Sequence, residues 1–118
     1  MSHKQRVLLV APGRGSYRPN TLGVLKNRSE AARFYIDACD QYRIANGQPS
    51  VTELDASSDF KGKLHVAGEN ASLLTFACSL ADAADLDLER YEVVGVVGNS
   101  MGFYTARIVW GLIFRRRH

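Results

Sequence analysis

The sequence predicts an α/β fold, and three observations carry that prediction. A short apolar run, Val93–Val97, feeds directly into Gly98-Asn99-Ser100-Met101-Gly102, and a helical pattern of apolar residues follows at once. A second apolar run, Val7–Val10, ends at Pro12-Gly13 and reads as a buried first strand. Between the two lie segments whose apolar residues recur at helical spacing.

The first strand is expected over Arg6–Ala11. The glycine-bearing loop after it, Gly13-Arg14-Gly15-Ser16-Tyr17-Arg18-Pro19, sits where open α/β sheets bind ligands. A dinucleotide fingerprint would need a third glycine where Arg18 stands and a helix opening at once. Pro19-Asn20 prolongs the loop instead, which excludes that reading. The loop is then either an ordinary strand–helix turn or a backbone loop for an oxyanion or substrate.

From about Ser29 to Ala45, the residues Ala32, Tyr35, Ile36, Cys39, Tyr42 and Ala45 fall on one helical face. Ser29 or Asn27 can cap the start, and Gly47 and Pro49 supply the stop. Val51–Phe60 is turn-rich and holds at most a short helical turn, with Thr52 and Asp55 at capping-box-like spacing. Lys61–His65 reads as a connection, with His65 a solvated loop side chain. Ala71–Ala84 is a second helix, capped by Asn70, whose Leu73, Leu74, Ala77, Cys78, Leu80, Ala81 and Ala84 form a broad apolar face. Asp85–Tyr91 turns the chain into the second strand, and Phe103–Phe114 continues as helix.

Strand, sharp turn and helix around Ser100 make the pattern of a nucleophile elbow. Side chains two residues either side of the tip would collide in such a turn, so Gly98 and Gly102 remove them. The following helix would point its free N–H groups at a reacting oxygen.

At 118 residues the chain is at most one domain, and its 46% apolar and 23% charged content is ordinary for a globular protein. The formal net charge of +3 is a property of the end of the chain. Four of the 15 basic residues lie in 107–118, leaving 11 against 12 acidic groups over 1–106. That balance gives no reason to expect nucleic acid as a partner. No run reaches membrane-spanning length, and Val7–Ala11 is too short for a signal-peptide core, so a cytoplasmic location and no membrane partner are expected. Cys39 and Cys78 lack metal-ligand spacing and read as buried thiols; no metal is expected.

Three features in register resemble the acyltransferases that load malonyl groups from coenzyme A onto acyl carrier protein. They are the first strand with Pro12-Gly13-Arg14-Gly15-Ser16, the Asn70-Ala-Ser-Leu-Leu74 helix start, and Val97-Gly-Asn-Ser-Met-Gly-Phe-Tyr-Thr-Ala106. The resemblance covers roughly residues 5–106, the N-terminal part of that family, and implies an α/β-hydrolase-like core. It also implies a ping-pong reaction of fatty-acid or polyketide synthesis. Ser100 takes the malonyl group from malonyl-coenzyme A and passes it to the phosphopantetheine thiol of a carrier protein. Coenzyme A thioester is then a substrate, and no cofactor is expected.

In the family the oxyanion donors are the backbone N–H groups at the positions of Met101 and Arg14, and the resemblance places Asn99 and Asn70 at the substrate. Arg14 stands where glutamine is usual, Asn99 where histidine is usual, and Phe103 where glutamate is frequent. The family's general-base histidine and malonate-binding arginine have no counterpart in this chain. Residues 1–106 are accordingly expected to be a truncated acyltransferase domain, inactive alone. The tail 107–118 reads as an artificial or frameshifted end in preference to an amphipathic contact through Trp110, Ile113 and Phe114. The competing functions are a serine hydrolase or thioesterase on the same elbow, and a non-catalytic interaction fragment.

Overall fold

The computed structural model describes residues 3–13 and 15–118. Arg14 lies outside the described residues. Two parallel strands, β1 (Gln5–Ala11) and β2 (Tyr91–Gly98), form the sheet. The long crossover between them carries a 3-10 turn (Pro19–Thr21), α1 (Glu30–Ala45), α2 (Val51–Asp55), α3 (Gly62–His65) and α4 (Gly68–Asp85). The last helix, α5 (Gly102–Arg117), leaves the C-terminal end of β2. Among the described residues the fold is mixed α/β with a two-stranded parallel sheet, and no helix is long and apolar enough to cross a membrane.

The strands run in register from Gln5 beside Tyr91 to Ala11 beside Gly98, with one irregularity between Val7 and Leu8 that leaves Val94 as the extra residue. A bulge shifts the in–out alternation by one. Val7 and Leu9 on β1 and Val93 and Val96 on β2 therefore turn to the same, inner face. There they pack with Leu80 and Ala83 of α4 and Val109, Leu112 and Ile113 of α5. A second cluster joins α1, α2 and α4 with Tyr17 and Leu25. Helix α4 contributes to both clusters, so the crossover and the sheet share one backbone of small and branched side chains.

Local chemistry explains the helix boundaries. Ser29 caps α1 by accepting from Ala32 N at 3.1 Å. At the other end Gly47, at φ +69°, turns the chain out, with Gly47 N donating to Ile44 O at 3.0 Å and Gln48 N to Arg43 O at 2.9 Å. That pair of bonds is a Schellman stop. The buried face of α1 is Ala32, Ile36, Cys39 and Arg43, while Tyr42 and Ala45 are exposed. The expected face therefore drifts from the true one over the last two turns. Arg43 is held inside because its Nε donates to Pro49 O at 2.8 Å and its Nη2 to Asn70 Oδ1.

Three sequence expectations need correction. The cap of α2 is Ser50, which accepts from Glu53 N at 3.0 Å. Thr52 instead bonds Asp40, and Asp55 is buried, accepting from Tyr17 Oη at 2.5 Å, Gly23 N at 3.1 Å and Leu25 N at 2.9 Å. Asn70 does not cap α4, which opens at Gly68 after Ala67. Its side chain is spent on Arg43 and on Leu64 O, 2.9 Å away. His65 is fully buried within α3, stacked against Phe60 and Tyr17. An aromatic neighbourhood and two backbone partners hold a ring that its polar surroundings in sequence had suggested was solvated.

Helix α5 runs without a break from Ala106 into residues 107–117. Arg116 reaches the last carbonyls of α4, donating to Ala83 O at 2.5 Å and Leu86 O at 2.6 Å, where a cation also suits the helix dipole. Arg117 donates to Val93 O and lies over the Trp110 ring. The basic segment is thus part of the packed structure. Ile113→Ala should cost about 2–5 kcal/mol in urea unfolding, the range for a buried aliphatic truncation. An unchanged midpoint would show that the segment contributes nothing to the core.

Candidate functional site

The C-terminal ends of β1 and β2 lie side by side, and Ser100 stands at the turn that leaves β2. The turn is built by backbone contact. A Cβ on Gly98 would lie 2.0 Å from Gly102 O, and one on Gly102 would lie 2.2 Å from Ala11 O. Neither position has room for a side chain. Asn99 N donates to Ala11 O at 3.3 Å, Gly102 N to Asn99 O at 2.9 Å and Phe103 N to Ser100 O at 3.0 Å. Ser100 is left at φ +57°, in the left-handed region, and exposed. A non-glycine residue pays roughly 1–2 kcal/mol to sit there, so the surrounding contacts must hold it.

The loop after β1 closes on the same turn. A Cβ on Gly13 would lie 2.9 Å from Asn99 O and 3.4 Å from Ser100 Cβ. Gly13 thus lets the β1 loop touch the tip of the turn. Further along, the Tyr17–Asp55 bond and the two backbone donors on Asp55 tie this loop to α2. Burial, then the hydrogen bond and charge of Asp55, hold the Tyr17 phenol well above its ordinary pKa, so it stays a donor. The Tyr17–Asp55 anchor is not legible in the sequence, because the two residues are 38 apart and neither carries a pairing signal.

Among the described residues, the N–H groups of Ser100 and Met101 donate to no acceptor. Both lie just before α5, whose own first N–H groups, Gly102 to Tyr104, turn back to Asn99 O, Ser100 O and Met101 O. The Ser100 and Met101 N–H groups are available to an oxygen placed against Ser100. The second donor expected for such an oxygen, at Arg14, lies outside the described residues. The Asn99 side chain is exposed beside Ser100. Asn70 is bonded at both ends of its amide within the chain.

A groove of about 800 Å³ borders the turn, lined by Met101 of the turn, Tyr104 of α5, Glu69 and Ser72 of α4, and Tyr42 and Arg43 of α1. A smaller cavity of about 370 Å³ lies under the β1 loop beside Pro12, Tyr17 and Thr75.

No histidine of the chain serves Ser100. His3 precedes β1, at the opposite end of a seven-residue strand, about 20 Å or more away at roughly 3.3 Å per residue. His118 follows the 16-residue α5, about 24 Å from its start at 1.5 Å per residue. His65 is engaged at both nitrogens. Nδ1 accepts from Lys61 N at 3.0 Å, so Nε2 carries the proton and donates to Leu54 O at 2.8 Å. The cysteines offer no rival nucleophile. Burial, with Asp40 nearby, pushes the Cys39 thiol up to about 11; burial, with Asp55 and Asp82, pushes Cys78 up to about 12. No cluster of three or more metal-ligating side chains occurs among the described residues.

Comparison of the chain with protein-family models, with curated proteins and with solved structures gives no match in any of the three.

The glycine contacts make a direct prediction. Gly98→Ala should destabilise the chain by at least about 3 kcal/mol in urea unfolding, because backbone would have to move. Ser100→Gly should leave stability unchanged or raise it by up to about 1 kcal/mol, as relief of the left-handed strain offsets glycine's entropy. A Gly98→Ala protein as stable as the parent would contradict this geometry.

Proposed function

We propose that Ser100 is the nucleophile of an acyl transfer from a coenzyme A thioester, malonyl-coenzyme A by the sequence resemblance, to a carrier-protein thiol. In this reading the two strands and their helices are the N-terminal part of an α/β-hydrolase-like acyltransferase core. One observation carries the proposal: an exposed serine held at φ +57° between two glycines that admit no side chain, at the start of an uncapped helix.

The chemistry follows from that arrangement. Ser100 Oγ attacks the thioester carbonyl, and negative charge develops on the carbonyl oxygen. The N–H of Met101 would donate to that oxygen, without reorganisation at the moment of reaction. Collapse expels coenzyme A as the thiolate, leaving an acyl-serine ester and coenzyme A that takes up the proton lost from Oγ. The phosphopantetheine thiol then attacks the ester and returns a proton to Oγ. Asn99, exposed beside the nucleophile, would bond the acyl group in this reading. The glycine-bearing loop after the first strand favours transfer over hydrolysis, since lipase-type hydrolases place such a loop after a later strand.

The step that this chain serves poorly is removal of the Ser100 proton, for which it supplies no histidine. Positioned donors alone retain about 10³-fold to 10⁴-fold over water in enzymes stripped of their triads. Intact-protein mass spectrometry after incubation with malonyl-coenzyme A should show slow acylation confined to Ser100 and absent from Ser100→Ala. Added carrier protein should remove the acyl group faster than water does, while net transfer stays negligible. Rapid stoichiometric labelling would contradict the missing base. Equal labelling of Ser100→Ala would overturn the nucleophile assignment.

A further inference from the structure

The outer face of the sheet carries Arg6, Leu8 and Val10 from β1 and Glu92, Val94 and Val97 from β2. Parallel sheets normally have both faces covered. Here α4 and α5 cover only the inner face. Leu8 is 56% exposed, Val10 65%, Val94 46% and Val97 46%. Four large apolar side chains on one flat surface are an interaction site in a soluble protein.

We infer that this face is the contact between two copies of the chain. Charge and register make the face fit a second copy. Arg6 and Glu92 are partners across the sheet, with Arg6 Nε 3.6 Å from Glu92 Oε1 and both side chains largely in solvent. Consider a two-fold axis parallel to the strands, midway between two faces packed about 10 Å apart. It sets β1 of one copy over β2 of the other, at the same height and in the same direction. Arg6 then meets Glu92 of the second copy, and the reverse contact forms beside it. Leu8 and Val10 meet Val94 and Val97 of the second copy. Because register partners of opposite charge exchange places under this rotation, the face is complementary to itself. Such an isologous contact closes at two copies. The surface is separate from Ser100.

Charge reversal tests it on the whole chain. By sedimentation, the parent should form a dimer and nothing larger. Arg6→Glu and Glu92→Arg should each weaken self-association by about tenfold or more, since each brings two like-charged pairs together. Circular dichroism should show both variants folded, as the residues are exposed. Mixed in equal amounts, the two variants should pair with each other at close to parental affinity, although each has lost its internal ion pair. That recovery cannot come from a contact within one chain. A parent that stays monomeric, open-ended oligomers, variants that self-associate like the parent, or a mixture no tighter than its components would each overturn the inference.

Discussion

Nothing can be added to the α-carbons of Gly98 and Gly102 without moving main chain, and the geometry around Ser100 depends on that fact. The close approach of residues 98 and 102 makes the turn from β2 into α5 as sharp as it is. The approach of Gly102 to Ala11 O then presses the start of α5 against the end of β1. Ser100 is forced into the left-handed region as a consequence, and its side chain is exposed at the tip. A strained residue of this kind persists only where its surroundings over-determine it.

The rest of the chain supplies that over-determination. Leu80 and Ala83 of α4 pack with Val109, Leu112 and Ile113 of α5 beneath the sheet, fixing the axis on which α5 leaves the turn. Asp55 gathers Tyr17, Gly23 and Leu25, so the loop after β1 is tied down on its far side while Gly13 touches the turn on its near side. Arg116 and Arg117 reach back from the end of α5 to carbonyls of α4, Leu86 and β2. Packing along α5, a buried carboxylate behind the β1 loop and guanidinium–carbonyl bonds at the far end of α5 together hold the helix that leaves the turn.

Much of this was legible in the sequence, for identifiable reasons. Val7-Leu-Leu-Val10 and the valines on either side of Gly95 marked the two strands, and the Gly-x-Ser-x-Gly spacing marked the turn because the glycine requirement is local. Ser29 and Gly47 marked the ends of α1 through chemistry confined to a few residues. What stayed hidden depends on partners distant in the chain. His65 reads as a loop residue until Phe60, Tyr17 and the Leu54 carbonyl surround it. Arg43 reads as surface until Asn70 and Pro49 O receive it. The tail reads as foreign because the family resemblance stops at Ala106, yet Val109, Leu112 and Ile113 continue the helix and pack on the inner face.

In the proposed acyl transfer, Ser100 and its neighbouring donors would stand ready, and acceptance of a proton would limit the reaction. The most direct test is the rate of Ser100 acylation by malonyl-coenzyme A with free imidazole added as a diffusible base. The account predicts a rate rising in proportion to the neutral imidazole concentration, with the label confined to Ser100. A rate independent of imidazole, or an imidazole-dependent label spread over other serines, would contradict it.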